Sequence, residues 1–326
     1  MSAAPLSTAR DQFISTVQAN IPICREHYRL MLRVAGFPST RPGQFVQVAC
    51  RQVEHDNGAT PVELEWPNGA WPKVQDVDLL QPTALLRRPF SLAGRRDLPG
   101  GDVELEIIHR VVGIGTDWLS RLCVGDEVEL LGPLGNAFTL PAQGQQAVLI
   151  GGGVGIPPML YLGRALAGRD GVAFCGALTR ELLPLKLVGD AGADATPSMC
   201  VEEFARHGIP SVVTTDDGSY GFRGFVTQAL ERYLDSPGSR AADSVVLYTC
   251  GPELMMKRVA DIAAARGIEC QIAVERAMAC GMGTCQSCCI RVRKADPSAP
   301  PLPGSQWCYR LACTDGPVFR GADLLW

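Results

Sequence analysis

From residue 21 to about residue 140, apolar and polar positions alternate in short bursts. HYRLMLRVAG (27–36), GQFVQVAC (43–50), DVELEIIHRVV (102–112) and DEVELLGP (126–133) each alternate or carry β-branched residues, and Gly or Pro turns part them. Bursts of period two predict strands, and their close succession predicts a small antiparallel barrel. Beyond Gln146 the period changes. AVLIGGGVGIPPMLYLGRALA (147–167) reads as a buried strand, a glycine-rich turn and a helix, the first half of a βαβ unit. GVAFCGALT, IPSVVTTDDG and SVVLYTCGP are further apolar strands, and PELMMKRVADIAAARG (252–267) is a helix with a Gly stop. The fold class expected is α+β and multidomain: an antiparallel β-barrel, a Rossmann-like α/β domain and a small C-terminal module.

The domain bounds follow from where the pattern breaks. Residues 1–20 read as a short, loosely ordered lead, 21–143 as the barrel, 144–268 as the α/β domain and 269–326 as the C-terminal module. Inside the barrel, residues 51–84 turn rich in Pro, Gly, Asn and acids, which marks an insertion or extended surface loop. Its Trp66 and Trp71 read as packing residues. A Pro-rich stretch, KADPSAPPLPGSQ, reads as a surface turn within the C-terminal module.

Composition narrows the partners. With 326 residues, a formal net charge of −4 and 20% charged residues, the chain has no basic excess to suggest nucleic acid. The longest apolar stretch, residues 147–162, is broken by glycines and prolines and is too short to cross a bilayer. The opening residues lack the apolar core of a signal peptide. A cytoplasmic protein with no membrane partner is expected.

The most specific chemistry lies in MACGMGTCQSCCI (278–290). Cys280, Cys285 and Cys288 stand in the C-x4-C-x2-C spacing of a plant-type [2Fe–2S] site. Gly281 and Gly283 suit a loop wrapped tightly round a cluster. A fourth thiolate must come from elsewhere, and Cys313 and Cys308 compete for that place, Cys313 in the segment where the chain returns to close the site. Zinc favours paired C-x2-C knuckles, and only one such pair stands here beside a C-x4-C arm. A disulfide framework finds no sign of secretion, and inert burial does not account for six cysteines between Cys280 and Cys313. Upstream, GIGTDWLSRL (113–122) reads as a turn opening a helix with Thr116 or Asp117 as N-cap, a place suited to phosphate.

RPFS (88–91), the GT turn and GPLGNAF (132–138), in that order and spacing, resemble the flavin-binding domain of the ferredoxin reductase superfamily. The resemblance implies that Arg88 meets the flavin pyrophosphate, that Phe90 and Ser91 lie against the ring, and that Gly115 and Thr116 hold phosphate. Pro89 and the strand residues Ile108, His109 and Arg110 join the same set. GGGVGIPP is similar to that superfamily's nucleotide loop, which assigns Gly151, Gly152, Gly153 and Gly155 to a dinucleotide. By the same likeness CGP, Cys250, Gly251 and Pro252, lies beside nicotinamide and flavin, and Asp217 belongs to the loop TDDGSYGFRGFVT. Thr179 and Arg180 stand where NADP enzymes meet the 2′-phosphate. NAD is the expectation on family grounds.

Taken together, RPFS, GGGVGIPP, CGP, ERAMACGMGTCQSC and LACTDGPVF resemble the electron-transfer subunits of class 1B dihydroorotate dehydrogenases over nearly all of residues 21–320. The resemblance implies FAD, a [2Fe–2S] cluster and NAD as cofactors, Cys313 as the fourth ligand, and a separate FMN-containing catalytic subunit in a heterotetramer. Electrons from dihydroorotate would then pass from that FMN across the cluster to FAD and NAD+, and no residue is nominated as a general base. Two other readings stay open at this point. One is an NAD(P)H–ferredoxin reductase-like subunit of a hydrogenase or electron-bifurcating complex, and the other is a non-enzymatic, metal-stabilised regulatory subunit.

Overall fold

The computed structural model describes residues 11–53, 84–237, 240–293 and 306–326. Most of the 51–84 insertion, with both tryptophans, and nearly all of the Pro-rich turn lie outside them.

The first sheet is antiparallel and curls into a half-barrel. Its strands are β1 (Asp11–Cys24), β2 (His27–Ala35), β3 (Phe45–Val48), β4 (Arg88–Ser91), β5 (Gly94–Asp97), β6 (Asp102–Arg110) and β7 (Glu127–Leu134). They lie in the order β4-β3-β7-β1-β2-β6-β5. Val17, Leu30, Leu32, Val46, Val48, Leu105, Ile107, Val128 and Leu130 close the interior. Each such burial stabilises by about 1.5–3 kcal/mol before the cost of ordering the chain.

Two expectations change here. Residues 11–20, expected as a loose lead, form the first part of β1, which pairs with β7 on one side and β2 on the other. The reason is Val17: it is fully buried, and β1 fills the middle of the sheet rather than trailing from it. The short helix α1 (Ile114–Ser120) starts at Gly113, ahead of the expected cap. Thr116 sits one turn inside, where its hydroxyl accepts the N–H groups of Val112 and Gly113 at 2.9 and 3.1 Å.

The second sheet is parallel apart from its last strand. It runs β11-β10-β9-β8-β12-β13-β16, with β8 (Gln146–Gly152) and β12 (Val245–Cys250) at the centre. β9 (Gly171–Ala177), β10 (Ser211–Thr215) and β11 (Phe222–Arg223) lie to one side, and β13 (Glu269–Ala273) and β16 (Val318–Arg320) to the other. Helices α2 (Ile156–Ala165), α3 (Glu202–Ala205), α4 (Val226–Leu234) and α5 (Glu253–Arg266) connect or cover them. α5 ends at Gly267 in the left-handed region, φ 67°, where Ile268 N–H reaches back to the Ala263 carbonyl at 3.0 Å. That closure is the one a C-terminal glycine permits.

β13 is a strand of this sheet, so the stretch expected to open the C-terminal module is built into the α/β domain. The module proper is the irregular run after Ala273 and the hairpin of β14 (Cys289–Arg293) and β15 (Trp307–Leu311). β16 then returns antiparallel to β13. Asn136, in the GPLGNAF segment, ties this return to the half-barrel: its amide donates to the Asp315 and Val318 carbonyls at 3.0 and 2.8 Å and accepts the Val318 N–H at 2.8 Å. Among the described residues no helix is long and apolar enough to cross a membrane.

Candidate functional site

The order of the parallel sheet reverses direction at β8 and β12, and the crevice above such a switch is where open α/β sheets bind ligands. The turns that leave these two strands press together there: a Cβ on Gly155 would stand 2.2 Å from the Cys250 carbonyl oxygen. From this point a cavity of about 1550 Å3 runs to the mouth of the half-barrel. That volume exceeds the usual range for small-molecule sites and suits an extended cofactor with a second nucleotide beside it.

Fourteen of the seventeen expected cofactor residues line the cavity. On the half-barrel side these are Arg88, Pro89, Phe90 and Ser91 of β4, Ile108, His109 and Arg110 at the end of β6, and Gly115 and Thr116 of α1. Gly152, Gly153, Gly155, Cys250 and Pro252 face them from the nucleotide domain. Gly151, Gly251 and Asp217 are not on the wall. Gly151 is closed off within β8, where a Cβ would meet Ile156 at 2.9 Å. The Asp217 carboxylate turns back to accept the Ser219 N–H and hydroxyl at 3.0 and 2.6 Å, bonds that hold it below the usual carboxylate range. Asp216 takes its place on the wall, and burial, with Asp217 second, raises its carboxyl above the ordinary value.

The wall is built for a polar, partly anionic occupant. No carboxylate among the described residues pairs with Arg88, whose Nη1 donates to the Leu86 carbonyl at 2.8 Å. His109 is 2% exposed, stacks on Tyr28 and meets Phe90 edge-on, yet neither ring nitrogen has a hydrogen-bond partner. A buried polar group left in that condition carries a cost that a bound hydroxyl or amide removes. FAD fits these residues on both counts. His27, opposite Arg110 in the β2–β6 ladder, also lines the cavity with an orphaned Nε2, and no periodicity marked it. The Cys250 thiol is pushed up to about 12, by burial first and Glu275 second, so it offers a neutral packing surface and not a nucleophile.

His109 gives a pH dependence. Burial, with the neighbouring His27 second, pushes its imidazole down from 6.5 to about 4. The unfolded chain takes up this proton near 6.5 while the folded one refuses it, so stability is full above that pH and falls as pH drops toward 4. Thermal melts are expected to show a lower Tm at pH 5 than at pH 7.5, and His109→Phe should remove part of that fall.

In the C-terminal module, the loop between β13 and β14 bends through positive φ at Gly281, Gly283 and Gln286. No three His, Cys, Asp or Glu side chains among the described residues stand ready to hold one metal ion. A two-iron cluster asks instead for two pairs of sulfurs, and the loop presents pairs. Cys280 Sγ accepts the backbone N–H of Cys285 at 3.4 Å, and that of Met282 at the same distance. Hydrogen bonds from Ser287 hold the Cys285 thiol down at about 6. Cys288 and Cys313, both at most 2% exposed, face each other, and burial followed by Cys288 pushes the Cys313 thiol up to about 12. Paired thiols with N–H groups directed at sulfur fit a thiolate-held cluster.

Cys308 lies elsewhere. It stands opposite Val292 in the β14–β15 ladder and packs on the apolar core. None of the thirteen cysteines forms a disulfide. The loop also leans on the half-barrel, through a residue the motifs did not mark: Gln47 of β3, fully buried, donates to the Ala279 carbonyl at 3.4 Å and crowds Gly281. A lone polar side chain within FVQV was the only available signal.

Comparison with known proteins agrees with this geometry. A family model for the iron-sulfur cluster binding domain of dihydroorotate dehydrogenase B matches residues 275–325. The electron transfer subunit of dihydroorotate dehydrogenase B (NAD+) from Bacillus caldolyticus is 36% identical over 244 residues, 74% of this chain and 80% of its own length. This chain belongs to that family of electron transfer subunits. The Streptococcus mutans member is 35% identical over 74% of this chain and 81% of its own. Among solved structures, an NADH-dependent reduced ferredoxin-NADP oxidoreductase studied for flavin-based electron bifurcation has a TM-score of 0.65 at 24% identity, covering 96% of this chain and 90% of its own, which shows a shared fold. An Amycolatopsis cytochrome P450 reductase has a TM-score of 0.54 at 26% identity over 81% of this chain and 70% of its own. An electron transfer subunit of dihydroorotate dehydrogenase B implies a catalytic partner subunit.

Proposed function

We propose that this chain carries electrons from an FMN-containing dihydroorotate dehydrogenase subunit to NAD+, in a cytoplasmic heterotetramer of the two kinds of subunit. The observation that carries the reading is the position of the cluster loop. One side of it meets β3 through Gln47, and β3 is hydrogen-bonded to the RPFS strand of the cavity, whereas Cys285 on the other side is exposed. A relay between an internal cofactor and an external partner needs both contacts.

When bound, FAD exchanges hydride with a nicotinamide on one side and single electrons with an iron–sulfur cluster on the other. The chain's own residues bind and orient. Arg88 and the N–H groups at the start of α1 hold the FAD pyrophosphate, and Phe90 and Ser91 flank the ring. Gly152, Gly153 and Gly155 let the backbone approach the pyrophosphate of NAD, and α2 adds the favourable end of its dipole. Cys250, kept neutral, packs beside the nicotinamide without competing as a nucleophile. The thiolates of Cys280, Cys285, Cys288 and Cys313 would hold the [2Fe–2S] cluster, which would pass single electrons.

Co-purification from the native host, followed by an assay of NAD+ reduction driven by dihydroorotate, tests the reading. The expected partner carries FMN, and the pair reduces NAD+ only when dihydroorotate is added. Recovery of a hydrogenase or a bifurcating flavoprotein in its place would overturn the proposal, and a chain purified without flavin would favour a regulatory subunit.

A further inference from the structure

We infer that Glu106 is a positioning residue, which holds the half-barrel and the nucleotide domain at one setting across their shared cavity through a four-membered cluster of ion pairs whose two carboxylates are buried. This rests on the reading that NAD and FAD meet in that cavity. Glu106 lies in β6, and its side chain is 6% exposed. Its Oε1 stands 3.2 Å from Nε of Arg29 in β2, an ion-pair contact too oblique for a hydrogen bond. Its Oε2 accepts from Nη2 of Arg164 in α2. Arg29 in turn places Nη2 2.8 Å from Oε1 of Glu203 in α3. The Glu203 carboxylate, 8% exposed, also accepts the Lys186 N–H at 3.0 and 3.2 Å.

Two members come from each domain, and the two guanidinium charges match the two carboxylates. Removing Arg29 would leave the buried Glu203 carboxylate without its guanidinium partner. The half-barrel makes room for the arrangement: at Gly94 of β5, a Cβ would stand 1.8 Å from Arg164 Nη1 and 2.9 Å from Glu106 Oε2. α2 is fixed at a second point on the same flank, three residues earlier, where the Tyr161 hydroxyl lies 3.0 Å from the Thr40 carbonyl and 2.7 Å from its hydroxyl.

The position along each element explains what the cluster governs. Two residues beyond Glu106, β6 delivers Ile108, His109 and Arg110 to the cavity wall. α2 begins at Ile156, directly after the glycine loop on the opposite wall. Strand, ion pair and helix thus form one stiff connection from the flavin side to the nucleotide side. Transfer between two bound groups depends steeply on their separation, and a misplacement of about 1 Å costs on the order of a hundredfold in rate. The glycine loop and the CGP loop, on which the nucleotide is proposed to rest, leave neighbouring strands of one sheet, so binding should respond far less than transfer.

The test uses the complex with its catalytic partner, with FAD and iron measured per chain, and follows flavin bleaching by NADH in a stopped-flow instrument. In Glu106→Gln and in Arg164→Gln the limiting rate constant is expected to fall roughly tenfold or more, with the Kd for NADH changed less than about twofold and FAD content unchanged. The double variant should be no slower than the worse single one, and Glu106→Asp should recover part of the rate. Wild-type rates per bound FAD in both variants would overturn the inference. So would losses that multiply in the double variant, or that follow FAD loss or weakened NADH binding alone. A wild-type flavin that NADH does not bleach would instead overturn the proposed function, and this role with it.

Discussion

Replacing Cys313 by serine is expected to strip most of the iron from the purified protein, whereas Cys308→Ser should leave iron content and visible absorption at wild-type levels. Cys313 lies 1% exposed against Cys288, in the stretch where the Ala312 N–H donates to the Cys288 carbonyl at 3.1 Å. The backbone thus brings the two residues together, and a hydroxyl there is a poor replacement for thiolate. Cys308 has a different neighbourhood. Its ladder partner Val292 is 5% exposed in the apolar core, and residues directly opposite on an antiparallel pair share a face, so its thiol is directed at packing. Iron per chain and the low-temperature paramagnetic resonance of the reduced protein read the outcome. A Cys313→Ser protein with a normal signal, beside a Cys308→Ser protein without one, would reverse the assignment.

That contrast shows what could be read along the chain and what could not. Cys280, Cys285 and Cys288 fall within nine residues, so their chemistry survives as spacing. The choice of the fourth ligand is a matter of register between β14 and β15, which the sequence carries only through its likeness to relatives. The same division runs through the cavity. RPFS and GGGVGIPP were legible because each is a contiguous strand or turn whose residues lie together on the cavity wall. Asp217 lies off the wall, because the turn after β10 directs it at Ser219 and leaves Asp216 facing the cavity. Gln47 and Asn136 act across the domain boundary through partners far away in the chain, His27 reaches the cavity by its pairing with Arg110 in the half-barrel, and the members of the Glu106 cluster come from four separate elements. The β1 strand was missed at its start for a related reason. In DQFISTV only Ser15 and Val17 are buried, and the strand owes its place to pairing on both edges rather than to an apolar run.

The remaining large effect is expected from Gly155→Ala. Gly155 has φ −84° and ψ −6°, which any residue adopts, so the demand for glycine is not conformational. It is one of space. A Cβ would lie 2.2 Å from the Cys250 carbonyl oxygen and 2.5 Å from Gly251 Cα, and both are backbone atoms that no side-chain rotation can move. Either the glycine loop or the CGP loop must shift, and the two together form the floor on which the nucleotide is proposed to rest. NADH binding, followed by fluorescence titration of the flavin-loaded complex, is expected to weaken by roughly tenfold or more, and stability to fall by about 1–3 kcal/mol through overpacking. Gly153→Ala separates the two kinds of glycine. It has open space around its Cβ but a φ of 52°, so its cost is backbone strain of about 1–2 kcal/mol, with no collision at the floor. FAD content and the cluster signal should survive both changes. A Gly155→Ala protein that binds NADH as tightly as the wild type would show that the contact between the two turns does not shape the nucleotide site.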